Sequence, residues 1–216
     1  TALNSRLIAC PTNINMPGYD MLANPELSVL IPVFNEEGNL GPLTGELLAA
    51  LRSRMPFEIV FVDDCSSDNS IKVVRELQHG NPEIRLLRLA KRSGKSLALR
   101  VGAKACKAHW IITLDGDGQN DPADIRKFLE ARDAASPDVK MFAGWRIDRQ
   151  DTTSKRWASR LANRMRNAIL HDATPDTGCG FKLFERDAFL EFPFFDNMHR
   201  YLPALMQRDG WRTQSV

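Results

Sequence analysis

The sequence is most informative first through what it lacks. No apolar run approaches the ~20 residues needed to cross a bilayer as a helix, and no signal-peptide pattern opens the chain. None of the four cysteines, Cys10, Cys65, Cys106 and Cys179, forms a CxxC pair, and no Cys/His cluster has zinc-site spacing. That usage reads as free thiols in a reducing compartment. The net charge is only +2, too small to argue for a nucleic-acid partner. No GxGxxG follows a strand, which disfavours a Rossmann-type dinucleotide site. No GxSxG elbow or Ser-His-Asp order is visible. Ser93-Gly94-Lys95-Ser96 invites a P-loop reading, but the glycine needed five positions before Gly94 is Leu89, so the phosphate-cradling nest cannot form.

What remains is a chain of globular composition, with 216 residues of which 43% are hydrophobic, long enough for one domain with a sizeable core. Residues 1–26 carry Pro11, Pro17, Gly18 and Pro25 without period and read as a loosely ordered or surface-hugging arm. From residue 27 a rhythm sets in. Apolar strands are expected at 27–31, 57–62, 84–89, 110–114 and 139–143, each followed by a polar loop, and helices follow the first four. Asp121 with Pro122 gives a helix start by N-cap and first-turn proline. Strands alternating with helices every 25 to 30 residues predict an α/β fold with a mostly parallel, doubly wound sheet. Ligands in such sheets sit beyond the C-terminal strand ends.

Three polar loops fall on that edge: Asn35-Glu36, Asp63-Asp64 and Asp115-Gly116-Asp117-Gly118-Gln119. The last admits two readings. Asp, Gly and Asn are ordinary turn residues. Alternatively, two carboxylates one residue apart offer hard oxygen ligands to one cation, with open positions for a phosphate. Concentrated negative charge on one edge favours the cation. Lys95 opens a helix, where a lysine and free backbone N–H groups suit an anion. Segment 85–107 holds eight Lys or Arg and no acid. Beyond Trp145 the rhythm fades. Residues 155–166 hold five basic residues and no acid, with Trp157, Leu161 and Met165 in one stripe and Arg156, Arg160 and Arg164 in another. Such a helix fits either a solvated surface or an anionic membrane face. The glycines flanking Cys179 suggest a close backbone approach, and 198–205 reads as a short helix entered by His199-Arg200. A chain that opens on Thr1 and closes on a strand-like 211–216 is expected to be part of a longer protein, with room for a membrane anchor beyond Val216.

Six segments in this order, IPVFNEEGNL (31–40), VDDCSSDNS (62–70), SGKSLAL (93–99), LDGDGQNDP (114–122), AGWR (143–146) and DTGCGFKLFER (176–186), resemble the family 2 glycosyltransferases of GT-A fold. They look most like the dolichol-phosphate mannosyltransferase and bacterial polyprenyl-phosphate glycosyltransferase branch. The resemblance spans about residues 27–212. It implies a catalytic domain over 27–216, with a nucleotide-sugar half at 27–145 and an acceptor-side half at 146–216 that is incomplete at its C-terminus. It implies roles as well. Pro32, Phe34, Glu36 and Asp64 would hold the nucleotide, with Asp64 on the base, and Lys95 and Arg146 would join them. Asp115, Asp117 and Gln119 would hold Mg²⁺ or Mn²⁺ against the donor diphosphate. Arg156 and Ser159 would meet an acceptor phosphate. Asp176 would lie near the sugar and Arg200 near the diphosphate, making Asp117, Asp176 and Arg200 the catalytic set. One departure is that Cys179-Gly180 stands where the family has serine in an SGF segment.

The activity implied is inverting transfer of a hexose from a UDP- or GDP-sugar to a polyprenyl phosphate, at the cytoplasmic face of a membrane. A homo-oligomer is compatible with it, and a nucleic-acid partner is not expected. The alternatives are a GT-A enzyme acting on a soluble saccharide or protein, an inactive nucleotide-sugar-binding module, and, remotely, a P-loop NTPase.

Overall fold

The computed structural model describes residues 7–8, 24–145 and 179–216. Its framework is an eight-stranded sheet in the order β1-β4-β3-β2-β5-β7-β6-β8. The elements in chain order are β1 (Leu7–Ile8), β2 (Leu27–Val33), α1 (Leu40–Leu51), β3 (Phe57–Asp63), α2 (Ser70–Gln78), β4 (Ile84–Leu89), α3 (Lys95–Ala105) and β5 (Trp110–Thr113). A 3₁₀ turn (Pro122–Asp124), α4 (Ile125–Ala134), β6 (Val139–Ala143), β7 (Lys182–Glu185) and α5 (Arg186–Glu191) follow. A second 3₁₀ turn (Met198–Arg200), α6 (Leu202–Arg208) and β8 (Arg212–Ser215) complete the order.

The central strands are covered on both faces, which is why they read as continuous apolar runs rather than alternating ones. Every residue of β3 is buried. On one face Leu40, Leu43, Leu47 and Leu51 of α1, Val74 of α2 and Ile125 and Phe128 of α4 pack on the sheet. On the other, Ala98, Leu99 and Ala103 of α3 join Phe189 of α5 and Leu202, Leu205 and Met206 of α6. The result is a three-layer α/β architecture.

The expected parallel core is present: β3 pairs in parallel with β2 and β4, and β2 with β5. Two features go beyond the sequence expectation. β7 lies antiparallel between β5 and β6, pairing Ile111 with Phe184 and Met141 with Phe184. Within the arm, Leu7 and Ile8 pair antiparallel with Leu89 and Arg88, so this part of the arm closes the edge beside β4. The 3₁₀ turn at Pro122 begins as the sequence predicts, with the Asp121 side chain accepting the Ala123 N–H.

The position of β2 sets the site. It starts the parallel unit and has β3 on one side and β5 on the other, so the strand order reverses there. That reversal opens a crevice beyond the strand ends. Pro32 marks the opening. Leu30 faces β5, its carbonyl accepting the Leu114 N–H. Pro32, two residues on, faces the same way, but the β2–β5 register has already ended at Leu30. A residue with no N–H to donate costs nothing where the neighbouring strand has turned away.

Candidate active site

At the C-terminal ends of β2, β3 and β5, a cavity of about 240 Å³ is lined by Pro32, Val33, Phe34, Glu36, Asp64, Lys95, Asp115, Gly116 and Asp117. Seven of the residues singled out from the sequence thus converge on one place from four segments of the chain. The segments are the loops after β2, β3 and β5 and the start of α3.

The first two loops are fastened to each other. Asn35 N–H donates to Ser66 Oγ at 3.0 Å, Glu36 N–H to Ser70 Oγ at 2.8 Å, and Glu37 N–H to Asp68 Oδ2 at 3.1 Å. In return Ser67 N–H donates to Asn35 Oδ1 at 2.9 Å and Asn69 N–H to Glu37 Oε2 at 2.7 Å. Asn35 and Cys65 take left-handed backbone conformations, at φ 57° and 63°, to make the two turns. The polar cluster after β3, legible in the sequence as turn and cap residues, therefore serves mainly to tie down its neighbour. That role had no sequence signal, because a lateral contact leaves no spacing pattern.

Asp64 is buried and held by the loop that precedes α3. Ser93 N–H donates to its Oδ1 at 2.6 Å and Gly94 N–H to its Oδ2 at 2.8 Å. Gly94 has a φ of +85°, the left-handed region open to glycine without steric cost. Lys95 then reaches across the cavity and pairs with Asp115 Oδ1. Asp117 is exposed, with Oδ1 accepting the Gln119 N–H at 3.1 Å. At the rim the Arg92 guanidinium lies 3.8 Å from the centroid of the Phe34 ring.

Gly180 supplies a contact that sequence reading only hinted at. A Cβ built on it would overlap the Asp115 carboxylate. Thr113 fixes this approach by donating its hydroxyl to the Gly180 carbonyl at 2.7 Å. The glycines around Cys179 signalled a close approach, and for Gly180 its target is Asp115. Cys179 itself is buried against the core. Cys106 is no nucleophile either, since burial pushes its thiol up to about 12, aided by the negative charge of Glu58.

Gln119 is exposed and lies outside the cavity lining. Arg200 is exposed on the second 3₁₀ turn. Its neighbour His199 connects that turn to α3, with Nδ1 2.7 Å from Ser96 Oγ. Arg146, Arg156, Ser159 and Asp176, together with the basic stretch at 155–166, lie outside the described residues.

Asp115 and Asp117 fit a hard divalent cation. They are two oxygen donors on one turn, and Mg²⁺ or Mn²⁺ typically takes one or two carboxylates plus substrate phosphates rather than a full protein cage. Among the described residues no cluster of three or more Asp, Glu, His or Cys gathers as a cage. The Lys95 ammonium occupies the place of a positive partner to Asp115.

A family model described as "Glycosyl transferase family 2" matches residues 28–192. The chain belongs to glycosyl transferase family 2. The match spans the cavity loops, α3 and β7. A dodecaprenyl-phosphate galacturonate synthase of Rhizobium johnstonii is 31% identical over 192 residues, covering 86% of this chain and 55% of that protein. An undecaprenyl-phosphate 4-deoxy-4-formamido-L-arabinose transferase of Edwardsiella ictaluri is 32% identical over 192 residues, covering 88% of this chain and 58% of that protein. This glycosyltransferase-family chain thus spans a little over half the length of those curated relatives. Its GT-A fold is shared with a mannosyltransferase from Pyrobaculum calidifontis in complex with GDP-Man and Mn²⁺. That pair has a TM-score of 0.67 and 20% identity, over 99% of this chain and 59% of the other. A glucosyl-3-phosphoglycerate synthase from Mycobacterium tuberculosis, in complex with Mn²⁺, UDP and its product, gives a TM-score of 0.67 at 15% identity, over 94% of this chain and 76% of the other.

Proposed function

We propose that this chain is the catalytic domain of a glycosyltransferase that moves a hexose from a nucleoside-diphosphate sugar to a polyprenyl phosphate, at the cytoplasmic face of a membrane. The observation that carries this is the cavity at the β2/β5 crossover, where Asp64, Lys95, Asp115 and Asp117 meet. The polyprenyl-phosphate acceptors in the names of the two relatives support the acceptor class. Residues 27–145 serve the donor and 146–216 the acceptor. Among the described residues no helix is long and apolar enough to cross a membrane. Contact with the bilayer therefore falls, in this proposal, to the basic segment at 155–166 and to segments outside this chain.

Each residue has a task in this reading. Asp64, pinned by two backbone N–H groups, presents its remaining lone pairs to the N–H edge of the nucleobase. Pro32, Phe34 and Glu36 complete the nucleoside pocket, and Arg146 the diphosphate side. Asp115 and Asp117, with Gln119, would hold Mg²⁺ or Mn²⁺. When bound, that cation offsets the negative charge that develops on the departing nucleoside diphosphate. Lys95 is placed to exchange Asp115 for a phosphate oxygen, and Arg200 adds a second positive charge. Arg156 and Ser159 hold the acceptor phosphate, and Asp176 stands near the sugar.

An acceptor phosphate oxygen forms the new bond to the anomeric carbon from one side. The bond to the diphosphate breaks on the other, and the configuration inverts. The acceptor is already an anion at neutral pH, so no side chain has to remove a proton from it. Positioning by arginine forks matters more than a general base. Asp117 is accordingly a ligand and orienter. The direct test is transfer from a panel of UDP- and GDP-sugars to a short-chain polyprenyl phosphate with Mn²⁺. Transfer only to soluble acceptors would sink the lipid reading. Full turnover by Asp117→Ala would sink the metal assignment.

A further inference from the structure

The second 3₁₀ turn packs His199 against the first turn of α3, one residue beyond the cavity residue Lys95. His199 Nδ1 lies 2.7 Å from the hydroxyl of Ser96, which is itself only 5% exposed. The His199 backbone N–H points at the same Ser96 oxygen, at 3.5 Å. Ser96 Oγ thus accepts from the main chain, and its proton needs an acceptor. Among the described residues its only paired acceptor is Nδ1. With the Ser96 hydroxyl donating to Nδ1, the ring proton sits on Nε2, which has no hydrogen-bond partner among the described residues.

The surroundings keep the ring neutral. Burial lowers His199 to about 4, and the positive charges of Lys95, Arg200 and Lys182 act in the same direction, with Asp115 alone opposing. Lys95, already paired with Asp115, and the exposed Arg200 next in sequence place positive charge near this histidine, a field that favours an anion. A neutral N–H there orients an anion by direction without adding a further charge that would hold the product.

We propose that His199 is a substrate-binding residue whose Nε2–H donates to a phosphate oxygen, with Ser96 fixing the tautomer. The inference rests on the glycosyltransferase reading above. The phosphate belongs either to the donor's diphosphate or to the acceptor's monoester. The chemistry is the same, and the experiment separates them.

The test uses the full chain with ¹⁵N-labelled histidine. Only four histidines are present, and His199 is assigned by the signal missing in His199→Asn. The Nε2–H tautomer is expected, and an Nδ1–H tautomer overturns the proposal. Adding UDP or GDP with Mg²⁺, and separately a short-chain polyprenyl phosphate, should shift the Nε2 resonance with one of the two. Uridine and guanosine should leave it in place. His199→Asn keeps an acceptor for the Ser96 hydroxyl but loses the distal N–H. It should weaken Kd for the nucleoside diphosphate, or raise KM for the acceptor, about tenfold, the size of a hydrogen bond to a charged group. His199→Gln restores an N–H at that reach and should recover most of the loss. Unchanged Kd and KM in the Asn variant overturn the proposal, as does an equal loss for nucleoside and nucleoside diphosphate. Should the Asn variant fail to fold, the wild-type spectra and the Gln variant decide. A wild-type chain that binds neither phosphate ligand overturns the glycosyltransferase reading itself. Binding that the Asn variant leaves untouched overturns only this assignment.

Discussion

The sheet carries acidic groups at both ends, and Glu58 at one end is used oppositely to the cavity carboxylates Asp64, Asp115 and Asp117 at the other. At the N-terminal end Glu58 of β3 is 3% exposed and has both carboxylate oxygens held by the protein. Ser28 Oγ donates to it at 2.6 Å, Lys107 N–H at 2.6 Å and Arg85 Nη1 at 2.5 Å. Ser28 in turn accepts the Ala108 N–H at 3.1 Å. This network knots β2, β3 and β4 to the end of α3. At the C-terminal end, among the described residues, Asp64 is held only by backbone N–H groups, Asp115 by one lysine and Asp117 by one N–H. A carboxylate saturated by its own fold is a fastener. A carboxylate with lone pairs left over, facing a cavity, is a site.

That contrast is broken if either end behaves like the other. Asp117→Ala should lower transfer about a thousandfold, which corresponds to the several kcal/mol that cation-assisted charge stabilisation supplies. Its midpoint in urea should stay at the wild-type value. A variant that lost stability along with activity would place Asp117 among the fasteners. Glu58→Ala should do the converse. It strands the Arg85 cation, half-buried, together with a buried hydroxyl and an N–H, at a cost of about 2–3 kcal/mol in chemical denaturation. Its KM values and its turnover per folded molecule should be unchanged.

A subtler probe sits between the two ends. Gly180→Ala puts a methyl group where Asp115 lies. The carboxylate must rotate away from both Lys95 and the cation position, and activity should fall ten- to a hundredfold. The apparent Mn²⁺ requirement should rise in parallel, measured as the concentration for half-maximal rate, with Tm little changed. Loss of activity at an unaltered Mn²⁺ requirement would mean that Gly180 shapes the pocket without setting Asp115.

The sheet was legible in the sequence because its central strands obey a simple rule. Buried on both faces, β2, β3 and β5 appear as short apolar runs, and each ends in a polar loop at the same edge. The carboxylates were legible for the same reason, since a strand end fixes which edge a loop occupies. β7 was not legible. It pairs antiparallel across a break in the βα rhythm, and its Lys182-Leu183-Phe184-Glu185 has no alternation, because Lys182 is buried as well. The lacing of the β2 and β3 loops was invisible too, because Ser66, Ser70 and Asp68 each satisfy a backbone N–H more than 30 residues away. Gly180 gave half a signal: the glycine pointed to a tight approach but not to Asp115.

The smallest expected effect concerns pH. His199 titrates near 6.5 in the unfolded chain and near 4 when folded, chiefly through burial and then through its cationic neighbours. The unfolded chain therefore binds the proton more readily, and protonation in this window favours unfolding. The stability that the neutral ring contributes is fully present above about pH 6.5 and is lost as pH falls towards 4. The partial exposure of the ring limits the size of the loss. Wild-type unfolding midpoints should decline between pH 6.5 and 4, and those of His199→Asn should decline less over the same range. Parallel profiles would mean that the ring is solvated and charged like a surface histidine. The line between fastener and site would then run between Ser96 and His199 rather than through the histidine itself.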